Sequence, residues 1–294
     1  MCKRLLNKYE EITYEKLRVV CAPNGAHVFS KVRLADIFPI EGSGISSEDF
    51  RFALQSHVDF LVTNDDYQPQ FSVEFDGPTH SDPRQVARDR RKNGLFERFN
   101  ASLLRINSKY LAKAFRGLDL LTYFAEVWFL ANAFYEAQED GGVPYDEPFD
   151  PAFVISEMKA PARRWPYWLS IDCQLAIQKL HNEGRVASFA CSDWVGVDRE
   201  GNYRCLAWLN VSCDSLVLAK TGMHYQRFPC VVQSDLLSMI AISDLYEELL
   251  RVLNGTASPK PLVALENEID RYQRDFSMCA MGICGPGPRN LRVH

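Results

Sequence analysis

The chain has 294 residues, 47% hydrophobic and 24% charged, with a formal net charge of −5, which is the composition of a folded globular protein and not of a disordered or fibrous one. At roughly 100–200 residues per domain, one large or two modest domains fit, and either buries enough apolar surface to hold together without disulfides or a structural metal. No apolar run approaches the roughly 18 residues of a membrane span, and the apolar stretch at residues 1–6 is too short for a signal peptide, so a soluble cytoplasmic protein with no membrane partner is expected.

Glu10 opens a short helix over 10–20, stopped by the turn Pro23-Asn24-Gly25. From 28 to 37 apolar and polar residues alternate as in a strand. Residues 38–47, with Pro39, Gly42 and Gly44, are loop, and 48–55 is a short helix for which Ser46 or Ser47 is a natural N-cap. Two strands follow, 58–63 and 70–76, joined by so short a connection that an antiparallel hairpin is the simplest arrangement. After Gly77-Pro78-Thr79-His80, Pro83 introduces a basic helix to about 98, then 102–106 reads as a strand and 109–137 as one or two helices. This order predicts an α/β layered domain with a mixed sheet flanked by helices. The acidic, Pro- and Gly-containing stretch 139–160 reads as a linker, dividing the chain into 1–138 and 161–294. In the second part 171–180 reads as a helix, 186–197 and 203–211 as strands about the turn at 198–202, and 235–253 as one or two helices, a smaller α+β domain ending in an irregular tail.

The nine cysteines include no C-x-x-C pair, their number is odd and most have apolar neighbours, so buried reduced thiols are expected rather than a zinc site. Charge is more telling in its distribution than in its sum. Between residues 80 and 116 stand ten lysines and arginines, including Arg84, Arg88, Arg91, Lys92 and Arg105, against Asp82, Asp89 and Glu97, while 136–150 is strongly acidic. A basic segment in an acidic chain suits phosphate, and a solvated helix face gives the same pattern.

The residues that suggest chemistry lie ahead of that segment. Asp59 sits inside an apolar strand, where an ionised carboxylate costs several kcal/mol unless it is paired or binds a metal. Glu74 and Asp76 are two apart on the next strand and share one face, and in a hairpin Asp59 meets Glu74. Three converging carboxylates repel one another, and a hard cation such as Mg²⁺ relieves this.

In order and spacing these elements resemble the restriction-endonuclease-like PD-(D/E)XK superfamily, and within it the branch similar to very-short-patch repair endonucleases and related domains of unknown function. The resemblance covers about residues 10–110 and rests on Tyr14-Glu15-Lys16-Leu17, Lys31-Val32-Arg33-Leu34-Ala35-Asp36, His57-Val58-Asp59-Phe60, Glu74-Phe75-Asp76-Gly77-Pro78-Thr79-His80, Arg88-Asp89-Arg90-Arg91-Lys92 and Leu103-Leu104-Arg105-Ile106. It implies a Mg²⁺- or Mn²⁺-dependent endonuclease acting on nucleic acid, DNA ahead of RNA, in microbial DNA defence or repair. Asp59 and Glu74 would be the principal metal ligands, with Asp76 beside them and Glu15 reaching in from the first helix. Asp76 occupies the position of the superfamily's usual lysine, which leaves Lys92, on the face of Asp89, as the candidate to orient water or stabilise the transition state, and His80 as a general acid or further ligand. Arg88, Arg91 and Arg105 are the phosphate-contact candidates, and His57 is read as a strand end without a chemical role. With the lysine displaced, an inactive nucleic-acid-binding module and a structural subunit contacting an acidic partner protein stay open as alternatives.

No G-x-x-x-x-G-K-[ST], G-x-S-x-G, H-E-x-x-H or G-x-G-x-x-G motif occurs. In the second part, Arg163-Arg164-Trp165-Pro166-Tyr167-Trp168 mixes basic and aromatic side chains, either to stack on bases or to pack at an interface. Trp194, Trp208 and the turn at Gly201 suggest a module for target recognition, effector sensing or association into a homodimer or larger complex.

Overall fold

The computed structural model describes residues 4–76, 83–152, 167–284, 288, 290 and 291. The turn at 77–80 with His80, the basic aromatic run at 163–166 with Trp165, and Cys2 lie outside the described residues. The chain forms two compact units, Met1–Phe149 with Gln226–Val231, and Asp150–Tyr225 with Val232–His294. The segment 226–231 thus belongs to the first unit although it lies deep in the second half of the sequence, which the division at residues 139–160 did not anticipate.

The first unit begins with α1 (Lys8–Cys21), whose N-cap Asn7 accepts from the amides of Tyr9 and Glu10 while Glu10 reaches back to the Asn7 amide, a reciprocal capping box. Glu10, Thr13, Leu17, Val20 and Cys21 form its buried face. There follow β1 (His27–Arg33), α2 (Leu34–Ile37), α3 (Ser47–Gln55), β2 (His57–Thr63), β3 (Pro69–Phe75), α4 (Pro83–Arg98), β4 (Ser102–Ile106), α5 (Ser108–Ala112), a small hairpin of β5 (Ala114–Phe115) and β6 (Leu118–Asp119), and α6 (Leu120–Glu139). The strand expected to run to residue 37 stops at Arg33. Leu34 and Phe38, one helical turn apart, then drop into a cluster with Ala53, Leu61, Leu95 and Phe96. The helix expected over 109–137 is likewise interrupted, because Arg116 and Gly117 both adopt positive φ (52° and 81°), the geometry of a tight two-residue hairpin turn.

The sheet order is β1-β2-β3-β4, with β1, β2 and β3 antiparallel and β4 parallel to β3 across the α4 crossover. It is mixed and flanked by helices. On one face Leu61 and Leu103 lie in the cluster with Leu95 and Phe96 of α4. On the other, Phe71 packs its ring against Trp128 and Phe129 of α6 and against Phe228. Phe228 comes from the segment 226–231, which runs along β4: Arg227 bridges Leu103, and the Gln226 side chain accepts from the Arg105 amide (2.7 Å) and donates to its carbonyl (3.0 Å). These bonds satisfy the free edge of a strand that would otherwise end the sheet.

The second unit contains α7 (Ile171–Asn182), β7 (Ser192–Val197), β8 (Tyr203–Asn210), β9 (Ser215–Met223), α8 (Gln233–Leu253), β10 (Lys260–Pro261), α9 (Leu262–Asp275) and β11 (Ser277–Gly282). Its antiparallel sheet has the order β10-β9-β8-β7-β11. Trp194 and Trp208, read from sequence as part of a recognition or association module, are 1% and 3% exposed and pack with Leu206, Leu216, Leu265, Ile269 and Tyr272. They are core residues joining the sheet to α9. Of the eight described cysteines only Cys21 and Cys205 are buried, and none is in a disulfide, so burial is less general than their neighbours suggested. No helix among the described residues is long and apolar enough to cross a membrane.

Candidate active site

Six elements of the first unit, α1, β1, β2, β3, α4 and β4, converge at one end of its sheet. The antiparallel register that sets Phe60 opposite Val73 brings Asp59 opposite Glu74 one step further on, and the parallel register sets Glu74 beside Arg105. Residues directly opposite on paired strands point to the same face, so Asp59, Glu74 and Arg105 stand side by side under α4. The Asp59 Oδ2 accepts from the Phe75 amide at 2.8 Å, which ties the two strands together at this point.

Each carboxylate has its own ammonium group. Lys92, reaching down from α4 and 9% exposed, places Nζ 2.7 Å from Glu74 Oε1 and 2.9 Å from the His57 carbonyl oxygen. Lys31, on β1, places Nζ 2.6 Å from Asp59 Oδ1 and 2.7 Å from Glu10 Oε1 of α1. Lys31 holds this bridge from a left-handed backbone conformation, φ 56°, which costs a non-glycine residue on the order of 1–2 kcal/mol.

The electrostatics follow from the crowding. Burial pushes the Glu74 carboxyl up to about 7, the attraction of Lys92 opposes this, and the negative charge of Asp59 adds to it. Partial burial pulls the Lys31 ammonium down, but hydrogen bonds and charge from Asp59 and Glu10 outweigh it and hold the group above its ordinary value. His57 is exposed at the rim, and its imidazole lies below its ordinary value through desolvation and the nearby Lys31, Lys92 and Arg88, against the pull of Asp59. These causes favour the neutral imidazole, which can accept a proton.

Several expected site residues stand elsewhere. Glu15 is paired at 3.6 Å with Arg18 on the exposed face of α1, since five residues from Glu10 turn it roughly 140° round the helix; Glu10 is the helix carboxylate of the site. Asp76 faces Arg105 (Nη1–Oδ1 2.9 Å) rather than completing a trio with Asp59 and Glu74, and Asp89 contacts the same guanidinium at 3.4 Å. Arg105 is thus committed to carboxylates and, at 12% side-chain exposure, does not present a fork to a phosphate. Arg91 is engaged by Glu48 (2.6 Å) and Asp49 (3.2 Å) at the start of α3 and lies over Phe52. Arg88 alone of the three phosphate candidates is exposed on α4 near the rim. His80 lies outside the described residues. Glu10 and Lys31 were missed as site residues; the Asn7-x-x-Glu10 capping spacing marked Glu10 as a helix-start residue, and nothing in the sequence marked the backbone turn at Lys31.

Among the described residues no group of three or more His, Cys, Asp or Glu side chains could hold a metal ion, and Glu15 and Asp76 are turned to Arg18 and Arg105 rather than brought together with Asp59 and Glu74. Asp59 and Glu74 nonetheless fit a hard divalent cation of the Mg²⁺ kind, which commonly takes one or two protein carboxylates and fills its remaining positions with water and substrate oxygens. The Glu74 carboxyl, raised by burial and by Asp59, is the group such a charge would most relieve.

Residues 2–116 match a family described as a protein of unknown function (DUF2726). No curated protein and no solved structure matches the chain. Every side chain assigned above to the site falls inside the span of the family match.

Proposed function

We propose that the first unit is a Mg²⁺- or Mn²⁺-dependent endonuclease of the restriction-endonuclease-like PD-(D/E)XK kind, similar to the very-short-patch repair branch, hydrolysing phosphodiester bonds of nucleic acid, DNA ahead of RNA, in microbial DNA defence or repair. The observation that carries this reading is the pairing of Asp59 and Glu74 on one sheet face, with Lys92 of the following helix 2.7 Å from Glu74. Asp59 and Glu74 would hold the cation, which when bound lowers the pKa of water and offsets charge on a phosphoryl oxygen. Lys92 would orient the attacking water from the Glu74 side and stabilise charge that develops at phosphorus. His57, exposed at the rim, would exchange a proton with solvent, and Arg88 would touch the phosphate backbone. The second unit would select the substrate or a partner.

The test is incubation of the full chain with supercoiled plasmid and with RNA, with Mn²⁺ and with EDTA. Nicking that needs Mn²⁺ and is lost in Asp59→Ala and Glu74→Ala, while both variants still retain labelled duplex in a gel shift at low salt, is the expected result. A second reading is favoured by the two lysines already neutralising both carboxylates: a module that binds nucleic acid without cutting it. That reading gives duplex binding with a steep salt dependence and no product with any divalent ion. Absence of binding to either nucleic acid at low salt refutes both.

A further inference from the structure

Lys92 has a counterpart in the proposed mechanism, but Lys31 does not. Its ammonium lies 2.6 Å from Asp59 and 2.7 Å from Glu10, on an edge strand whose register passes from Ser30↔Phe60 to Val32↔Val58 with Lys31 itself at φ 56°. An ordinary β conformation at residue 31 would be cheaper for the backbone, so the two ion pairs maintain the distortion. Both pairs are partly sheltered, with side-chain exposures of 29% for Lys31, 15% for Asp59 and 11% for Glu10, so they are less screened than surface pairs.

We infer that Lys31 is a positioning residue that serves as the site's resident counter-cation: it holds Asp59 and Glu10 in place in the metal-free protein and must give up Asp59 Oδ1 when a divalent cation binds. The inference rests on the nuclease reading in one respect, that the cation is taken by Asp59. Three carboxylates (Glu10, Asp59 and Glu74) face two ammonium groups (Lys31 and Lys92). With the second oxygen of Asp59 already accepting from the Phe75 amide, the oxygen held by Lys31 is the one an incoming ion competes for. A cation bound there repels the ammonium at close range, where like charges in a partly buried setting interact strongly. Lys31 therefore swings off Asp59, keeps Glu10 as its anchor, and leaves a positive group beside the position of a substrate phosphate. Metal binding by the free protein is weakened by this exchange, while the anion-bearing substrate regains the cost by pairing with the released ammonium.

The experiment is calorimetric titration of Mn²⁺ into the full-length wild type, Lys31→Met and Arg33→Met, with thermal unfolding of each in EDTA and in Mn²⁺. Arg33, on the same strand as Lys31, pairs with Asp36 of α2 and controls for the loss of one positive charge. The expected result is Mn²⁺ binding at least about ten-fold tighter in Lys31→Met, with affinity in Arg33→Met within about two-fold of wild type. In EDTA Lys31→Met unfolds at a lower temperature than wild type, and Mn²⁺ raises its midpoint by more. Should Lys31→Met fail to fold, Lys31→Gln, which keeps a hydrogen-bond donor but not the charge, is read by the same titration and the same threshold. Equal or weaker Mn²⁺ binding in the variant, with wild type binding Mn²⁺ normally, overturns the exchange and leaves the nuclease reading intact. No Mn²⁺ binding in any of the proteins overturns both.

Discussion

Replacing Glu74 by Gln is the sharpest probe of whether the buried carboxyl is as strained as its surroundings imply. Its value rises from the ordinary 4.5 to about 7 in the folded protein, with burial the largest cause. At about 1.4 kcal/mol per pH unit, that shift amounts to about 3 kcal/mol. The sign follows from linkage: between pH 4.5 and 7 the folded chain keeps a proton on Glu74 that the unfolded chain has released. Stability from this group is therefore present below 4.5 and is lost as pH rises through 7. Glu74→Gln keeps the shape of the side chain and an acceptor for Lys92 but cannot ionise, so it removes this pH dependence. Because the chain has two units and need not unfold in one step, the assay should report on the sheet itself. Amide hydrogen exchange of a peptide covering 57–75 does so. The ratio of protection in wild type to that in Glu74→Gln should fall on the order of 10²-fold between pH 4.5 and pH 8. Under the nuclease reading, saturating Mn²⁺ should flatten the fall, because a cation on Glu74 favours the ionised form. Parallel protection profiles of the two proteins across that range, with no metal present, would mean that Glu74 ionises freely in the folded state and would refute the desolvated pair.

The remaining predictions concern placement and packing. Glu10→Ala removes both the capping box and one anchor of Lys31 and should destabilise the first unit by about 2 kcal/mol, whereas Glu15→Ala, on an exposed face, should change stability by no more than about 0.5 kcal/mol; chemical denaturation followed through the Trp128 environment compares them. Gly196→Ala should destabilise the second unit by about 1–3 kcal/mol, because an added Cβ would lie 2.7 Å from the Trp194 ring and 2.8 Å from Phe276; a lowered unfolding midpoint with the first-unit exchange unchanged is the expected outcome. Asp193 on β7 has its carboxyl raised by burial, opposed by a hydrogen bond from Ser238 and supported by the charge of Asp235. By the same linkage sign, stability falls as pH rises through its raised value, and Asp193→Asn should abolish that fall in melting curves of the second unit.

How far this site could be read without coordinates depended on whether a residue's partner is fixed by short-range periodicity. The hairpin of β2 and β3 needs only two alternating runs and a short turn, but the register that sets Asp59 and Glu74 on one face also depends on the irregularity between Val62 and Thr63, which the sequence does not mark; Lys92 follows because a long basic helix after β3 has to cross that face to return the chain to β4. Glu10 and Glu15 posed a different problem. Both lie on one helix, and which of them looks at the sheet is a matter of helical phase, set by the burial of Thr13, Leu17 and Val20, which the motif spacing does not encode. The arginines show the same limit in reverse, since Arg91 and Arg105 have the composition of phosphate contacts but are already matched by Glu48, Asp49, Asp76 and Asp89, partners distant enough in sequence to be invisible to local pattern. In the second unit β9, α9 and β11 escaped notice: β9 is buried over three successive residues rather than in alternation, and β11 pairs with β7 about eighty residues earlier, whereas the helical spacing of Leu265, Ile269 and Tyr272 in α9 was legible and passed over. Lys31 was the least legible of all. Its role rests on one backbone torsion, and a lysine on the polar parity of an edge strand gives no sign that it turns inward. Residues like this, where the backbone departs from the cheapest conformation and a buried charge meets it, are where sequence pattern should fail and where the chemistry of a site is most economically sought.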